Sequence, residues 1–344
     1  MSADIVDLRS DTVTKPTDEM REAMKNAEVG DDVLGEDPTV KKLEKIAAKK
    51  LGKEAGLFMT SGTQGNLTAL LTHTTVGDEI IMGKYCHIYK YEIGGYASLA
   101  GLTAQLLDDK DGYMPLEKIP EAVRPEEIHQ PLTALICMEN THNLAGGVPL
   151  DVDHTKEIGK IAKEHDLSLH IDGARIFNTA VALNEDIKNL VEPADSVQFC
   201  LSKGLSAPVG SLLVGSDEFI EKARKNRKKL GGGMRQAGVI AAPGIIALKN
   251  MINRLDTDHK NARRLADGLE NIGFNIKPAD VKTNILMVDT KSIDKKAEKF
   301  RKKLEANNIL TLALDEYQLR FVTHRGISKE DINRVLSIIK RECR

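Results

Sequence analysis

Lys203 stands in FCLSKGL, directly after the apolar run Ser196–Leu201 and shortly before another at 211–214. Most lysines are solvated surface groups. One held at the carboxyl edge of a covered sheet is partly desolvated, and this favours the neutral, nucleophilic amine that a Schiff base requires. Asp172 closes a second apolar run in LHIDGAR. It reads either as a helix N-cap or as a carboxylate facing the crevice where α/β sheets bind ligands. Residues 60–67, TSGTQGNL, place small and hydroxyl side chains at the start of a helical pattern. Backbone N–H groups and the positive helix end suit a phosphate there. The segment is neither a Walker A loop nor G-x-G-x-x-G, and an ordinary strand-to-helix turn reads as well. Taken together, an amine, a carboxylate that keeps a pyridine nitrogen protonated and a phosphate cup are what pyridoxal 5'-phosphate needs.

Further residues bear on a substrate. His87, in YCHIYKYE, and His142, in ENTHN, read as proton carriers, as a ring stacked on the cofactor, or as structural histidines bonded to backbone. No histidine spacing favours a catalytic metal. Arg175 lies three residues past Asp172, and Arg320 lies in strand-like QLRFVTH. Their guanidinium forks suit a carboxylate, although an exposed strand face accounts equally for Arg320. The basic run that ends in LGGGMRQ reads first as a solvated helix face. Its three glycines let the backbone before Arg235 approach a phosphate or a neighbouring subunit.

The elements that must position these groups follow from the apolar pattern. Short runs at 79–82, 132–138, 167–172, 196–201 and 211–214 alternate with helical stretches such as 38–52 and 153–165. This predicts an α/β fold with a large, mostly parallel sheet covered by helices on both faces. After about residue 250, charged helices and strand-like 284–289 and 317–322 predict a smaller α+β domain. The expected division is 1–250 for the large cofactor-binding domain, with 1–15 near the active site, and 251–344 for the small one. The 344 residues carry a formal net charge of -2, which gives no electrostatic case for nucleic acid or an anionic membrane. The apolar stretch near 238–248 is broken by Pro243 and Gly244 and is too short to span a bilayer. The first residues lack the basic and apolar regions of a signal peptide, and four scattered cysteines fit a reducing cytosol, so a cytoplasmic location is expected.

The blocks DLRSDTVTKPT, GDDVLGEDPT, SGTQGN, ENTHN, HIDGARIFN, CLSKGL, GGGMRQAG and LRFVTH, in that order, resemble the threonine aldolases of the β-eliminating lyase group. These are fold-type I enzymes that use pyridoxal 5'-phosphate, and the likeness is to the low-specificity and L-allo-threonine aldolases. The resemblance implies retro-aldol cleavage of L-allo-threonine or L-threonine to glycine and acetaldehyde. It implies a Schiff base on Lys203, Asp172 at the pyridine nitrogen, His87 stacked on the ring, and Gly62 and Thr63 at the phosphate. Arg235 would reach across from a neighbouring subunit, and Arg175 would serve both cofactor and substrate. Ser10, Arg175 and Arg320 would hold the substrate carboxylate, with His142 near its hydroxyl. A homotetramer with active sites at subunit interfaces is implied as well. Leu34 departs from the pattern, standing where many relatives have tyrosine. β-Elimination and transamination are the alternative reactions on the same fold.

Overall fold

The computed structural model describes residues 5–343, which contain twelve strands. In chain order they are β1 (Val6–Asp7), β2 (Ala55–Met59), β3 (Glu79–Gly83), β4 (Thr103–Leu107), β5 (Thr133–Glu139), β6 (Ser168–Asp172), β7 (Ser196–Cys200), β8 (Ser211–Gly215), β9 (Ile285–Asp289), β10 (Ile309–Leu310), β11 (Leu312–Ala313) and β12 (Gln318–Val322). Seven of them form one sheet in the order β2–β8–β7–β6–β5–β3–β4. From β7 to β4 every pairing is parallel. β8 lies antiparallel to both β7 and β2, so β2 runs in the same direction as β7. The carboxyl ends of β2, β3, β5, β6 and β7 therefore open on one edge, the edge where such sheets place their ligands.

Buried, branched side chains explain the central strands: Ile80 and Ile81, Leu135 and Ile136, Leu169 and Ile171, Val197 and Phe199 are all fully enclosed. A sheet covered on both faces needs such runs rather than alternation. Among the covering helices, Pro38–Leu51 begins with the Asp37 side chain accepting from Val40 N at 2.9 Å and ends on Gly52 in the left-handed region. Val40, Leu43, Ala47 and Leu51 form its buried stripe. The apolar stretch near 238–248 is a buried helix, Gly238–Ile246, with Pro243 inside it. No helix among the described residues is long and apolar enough to cross a membrane. The four cysteines are free, and Cys86, Cys137 and Cys200 are buried.

The C-terminal part has its own core. The antiparallel sheet β11–β12–β9 packs with the helices Leu255–Ile272, Ala297–Glu305 and Lys329–Cys343 around Leu265, Leu269, Phe300, Phe321 and Val335. Near residue 250 the chain does not break: one π-helical turn, Ala247–Met251, follows the preceding helix directly. The N-terminal segment joins this smaller core and not the large one. β1 pairs in parallel with β10, and Val6 and Leu8 are buried among the C-terminal side chains. From there the chain delivers Ser10 and Asp11 to the sheet edge.

Candidate active site

Asp172, the last residue of β6, is buried. Its Oδ1 accepts from Ala174 N at 3.1 Å, as a turn-forming aspartate does, and its Oδ2 accepts from Asn66 Nδ2 at 2.9 Å. The helix that follows starts only at Ile176, with Arg175 as its cap residue, so Asp172 is not that helix's N-cap. Gly173 is required by the sheet: a Cβ there would lie 2.8 Å from the Gln198 carbonyl oxygen, to which Gly173 N donates at 2.7 Å.

Lys203 follows β7 in a half-buried bend, tied by Thr14 Oγ1 donating to its carbonyl oxygen at 2.9 Å. Its amine makes no ion pair or hydrogen bond among the described residues, and its charge acts on Asp11. Asp11 is fully buried and is gripped by Arg175, whose Nε and Nη2 donate to the two carboxylate oxygens at 2.8 Å each. Burial opposes charge on Asp11, but Arg175 and Lys203 outweigh it and hold this carboxyl far below the usual range. Arg320, from β12, lies in the same field. Its Nη1 donates to Asn143 Oδ1 and its Nη2 to the Arg9 carbonyl, both at 3.1 Å, while its buried Nε has no partner. Burial and the Arg175 charge push its pKa down. Three cationic groups thus stand near the Asp11 carboxylate, and of these only Arg175 pairs with it; Glu139 also acts on Arg175. Arg175 is mainly engaged with Asp11, which leaves its Nη1 for a ligand. Ser10 lies beside this cluster, and its hydroxyl oxygen already accepts from Thr12 N and Thr12 Oγ1.

The turn after β2 opens the helix Gly62–His73. Ser61 caps it, accepting from Gln64 N at 3.2 Å, and the N–H groups of Gly62 and Thr63 in the first turn have no intrahelical acceptor. A Cβ on Gly62 would sit 3.0 Å from Cys200 Sγ, so this glycine lets the helix start close against β7. An anion-ready helix end, a buried carboxylate and an unengaged lysine amine share one sheet edge. These residues fit pyridoxal 5'-phosphate: Gly62 and Thr63 for the phosphate, Asp172 for the ring nitrogen, Lys203 for the aldehyde carbon.

The two histidines differ. His87 follows β3, is partly exposed and hydrogen-bonds Glu92 Oε1 through Nδ1 at 2.8 Å, which leaves Nε2 open. Burial works against its protonation, but Glu92 and the Asp172 charge outweigh it and raise its pKa. His142 is 1% exposed. Its Nε2 bonds Asp109 Oδ2 at 2.8 Å and its Nδ1 accepts from Ala145 N at 3.2 Å. With both ring nitrogens taken, His142 has no nitrogen left for a substrate hydroxyl. Of the readings the sequence allows His142, this pairing favours the buried structural one.

Sequence reasoning passed over Asp11, Asn66, Glu92 and Glu139. Glu92 takes hydrogen bonds from both His87 and Asn66, and buried Glu139 accepts from His87 N at 2.8 Å and Asn143 N at 3.0 Å. Burial pushes both carboxyls up. His87, Glu92 and Asp172 bring potential ligand atoms within 4.8 Å of one another, a grouping a metal could use, but His87 Nδ1 and Asn66 already bond across it. Arg235 lies 61% exposed by side chain, paired with Asp31 at 2.9 Å. Leu34 is also exposed, on the turn that Asp31 holds.

The mixed sheet covered by helices, the smaller C-terminal sheet and the lysine-bearing edge define a fold-type I enzyme of the class that uses pyridoxal phosphate. The β-eliminating lyase family profile matches residues 7–292. The low-specificity L-threonine aldolase 1 of Arabidopsis thaliana is 49% identical over 342 residues, covering 98% of this chain and 96% of the relative. The low-specificity L-threonine aldolase of Escherichia coli K12 is 45% identical over 332 residues, with 96% and 97% covered. A solved threonine aldolase structure from Leishmania major superimposes with a TM-score of 0.84 at 19% identity, covering 98% of this chain and all of that one. The chain belongs to the β-eliminating lyase family, among the low-specificity L-threonine aldolases.

Proposed function

We propose that this protein cleaves L-allo-threonine and L-threonine to glycine and acetaldehyde with pyridoxal 5'-phosphate held on Lys203. The observation that carries the reading is unpaired positive charge: near Asp11, which pairs with Arg175, neither Lys203 nor Arg320 has a carboxylate partner among the described residues, and Arg320 Nε is buried without a partner. An amino-acid carboxylate supplies the missing anion.

The bound cofactor supplies an electron sink for the charge left at Cα when a bond to it breaks. Asp172 holds the proton on the ring nitrogen that makes the sink effective. Arg320 and the free Nη1 of Arg175 grip the substrate carboxylate and orient the amino acid, so that Cα–Cβ is the bond placed to break. His87 Nε2, with Nδ1 fixed by Glu92, takes the β-hydroxyl proton as the aldehyde leaves. Ser10 contributes a hydroxyl at the carboxylate end. Arg235 reaches a neighbouring subunit's phosphate site in a homotetramer of paired dimers. Its exposure supports this, as do exposed Tyr91 and Ile93 beside Glu92. The enzyme works in the cytoplasm.

The test is product analysis with purified protein and added cofactor. Acetaldehyde and glycine in equal amounts from either threonine isomer, and none from Lys203→Ala, are expected. Ammonia and a keto acid in their place would move the assignment to β-elimination.

A further inference from the structure

Behind Asp172 runs a line of buried polar groups with no place in the chemistry above. Asn66 lies one turn into the helix Gly62–His73 and is 1% exposed. Its Nδ2 donates to Glu92 Oε1 at 2.8 Å and to Asp172 Oδ2 at 2.9 Å. Its Oδ1 lies 3.1 Å from Nε2 of His170, a fully enclosed residue on β6. His170 Nδ1 lies 2.8 Å from Ser196 Oγ on β7, and Ser196 Oγ lies 2.7 Å from His73 Nε2. His73 ends the same helix and stacks on Phe219 with ring centroids 4.4 Å apart, at the wall of a surface cavity of about 520 Å³.

Hydrogen-bond arithmetic gives this line one direction. With its NH2 on Glu92 and Asp172, Asn66 presents its carbonyl to His170. His170 must then carry its proton on Nε2 and accept at Nδ1 from the Ser196 hydroxyl. Ser196 in turn accepts from His73 Nε2–H. Burial drives the His170 pKa down to about 3 and that of His73 to about 4, so both rings are neutral, with one donor and one acceptor nitrogen each.

We propose that the His73–Ser196–His170–Asn66 chain is a positioning device for the cofactor's carboxylate. It locks the Asn66 amide with both N–H groups between Asp172 and Glu92, so that Asp172 stays in place for the pyridine nitrogen. Without it the amide is free to rotate and present its oxygen to an anion, which a buried carboxylate tolerates poorly. The helix that offers Gly62 and Thr63 to the phosphate carries Asn66 as well, so one rigid element sets the distance between the two ends of the cofactor. His170, Ser196 and His73 are positioning residues, since they connect to Asp172 only through Asn66.

The inference rests on the cofactor reading above, and the experiment separates the two. Apoprotein is titrated with pyridoxal 5'-phosphate for the wild type, His170→Gln and His170→Leu, with thermal unfolding measured beside it. Gln keeps an N–H for Asn66 and Leu does not. His170→Leu is expected to bind the cofactor about fivefold to a hundredfold more weakly, the range that leaving the buried Asn66 carbonyl unsatisfied costs. His170→Gln is expected to restore most of the affinity at a similar loss of melting temperature. Unchanged affinity in the Leu variant, or equal losses in both, would overturn the proposal. If the Leu variant does not fold, solid-state nitrogen-15 shifts of the wild-type ring decide. A neutral Nε2–H tautomer at about pH 7 is required, and an imidazolium or an Nδ1–H tautomer refutes it. Failure of the wild type to bind the cofactor at all would strike the site assignment, while the ring tautomer would still report on the chain.

Discussion

His87 and His142 are equal candidates by residue type and differ in what their ring nitrogens are free to do. His87 keeps Nε2 open, whereas His142 gives one nitrogen to Asp109 and the other to Ala145 N. His87→Ala should therefore lower kcat by about a hundredfold or more, the usual contribution of a general base. His142→Ala should act mainly by loosening the fold. A base must be neutral to accept a proton, and Glu92 and Asp172 raise the His87 pKa. Turnover should rise with pH through a midpoint above about 6.5, the unperturbed histidine value. Glu92→Gln should bring that midpoint down, and a profile flat across this window would remove His87 from the proton transfer. At this scale the sequence exposes Lys203 and Asp172, because each sits where an apolar run stops. It hides Asp11, Asn66 and Glu92. Arg175 meets Asp11 across 164 residues, and Asn66 meets Asp172 across 106, with no local spacing to mark either pair.

Three strand ends and one helix start hold the chemistry, and their close approach depends on glycine. At Gly173 the ends of β6 and β7 come together so tightly that a Cβ meets the Gln198 carbonyl, a backbone atom with little room to move. Gly173→Ala should destabilise the protein by about 1–3 kcal/mol, as overpacking commonly does, and should weaken cofactor binding by shifting Asp172. Equal melting temperature and equal cofactor affinity in the variant would show that this contact yields freely. Central strands were legible because burial on both faces leaves an unbroken apolar signature. β4, TAQLL, was not, since it is an edge strand with only Leu107 buried.

The whole molecule brings distant parts of the chain to one lysine. The N-terminal segment pairs with β10 of the C-terminal part and from there extends Asp11 to Arg175, while β12 contributes Arg320. Arg320 Nη2 donating to the Arg9 carbonyl ties those two contributions together. The sequence placed residues 1–15 near the site but grouped them with the large domain, because two-residue parallel pairing leaves no pattern in so short a segment. All of these placements converge on the claim that Lys203 is the amine that carries the cofactor. Borohydride reduction of the holoenzyme makes that linkage permanent, and peptide mass spectrometry locates it. A pyridoxyl group on Lys203 and on no other lysine is expected; an unlabelled Lys203 in protein that retains the cofactor would contradict this assignment.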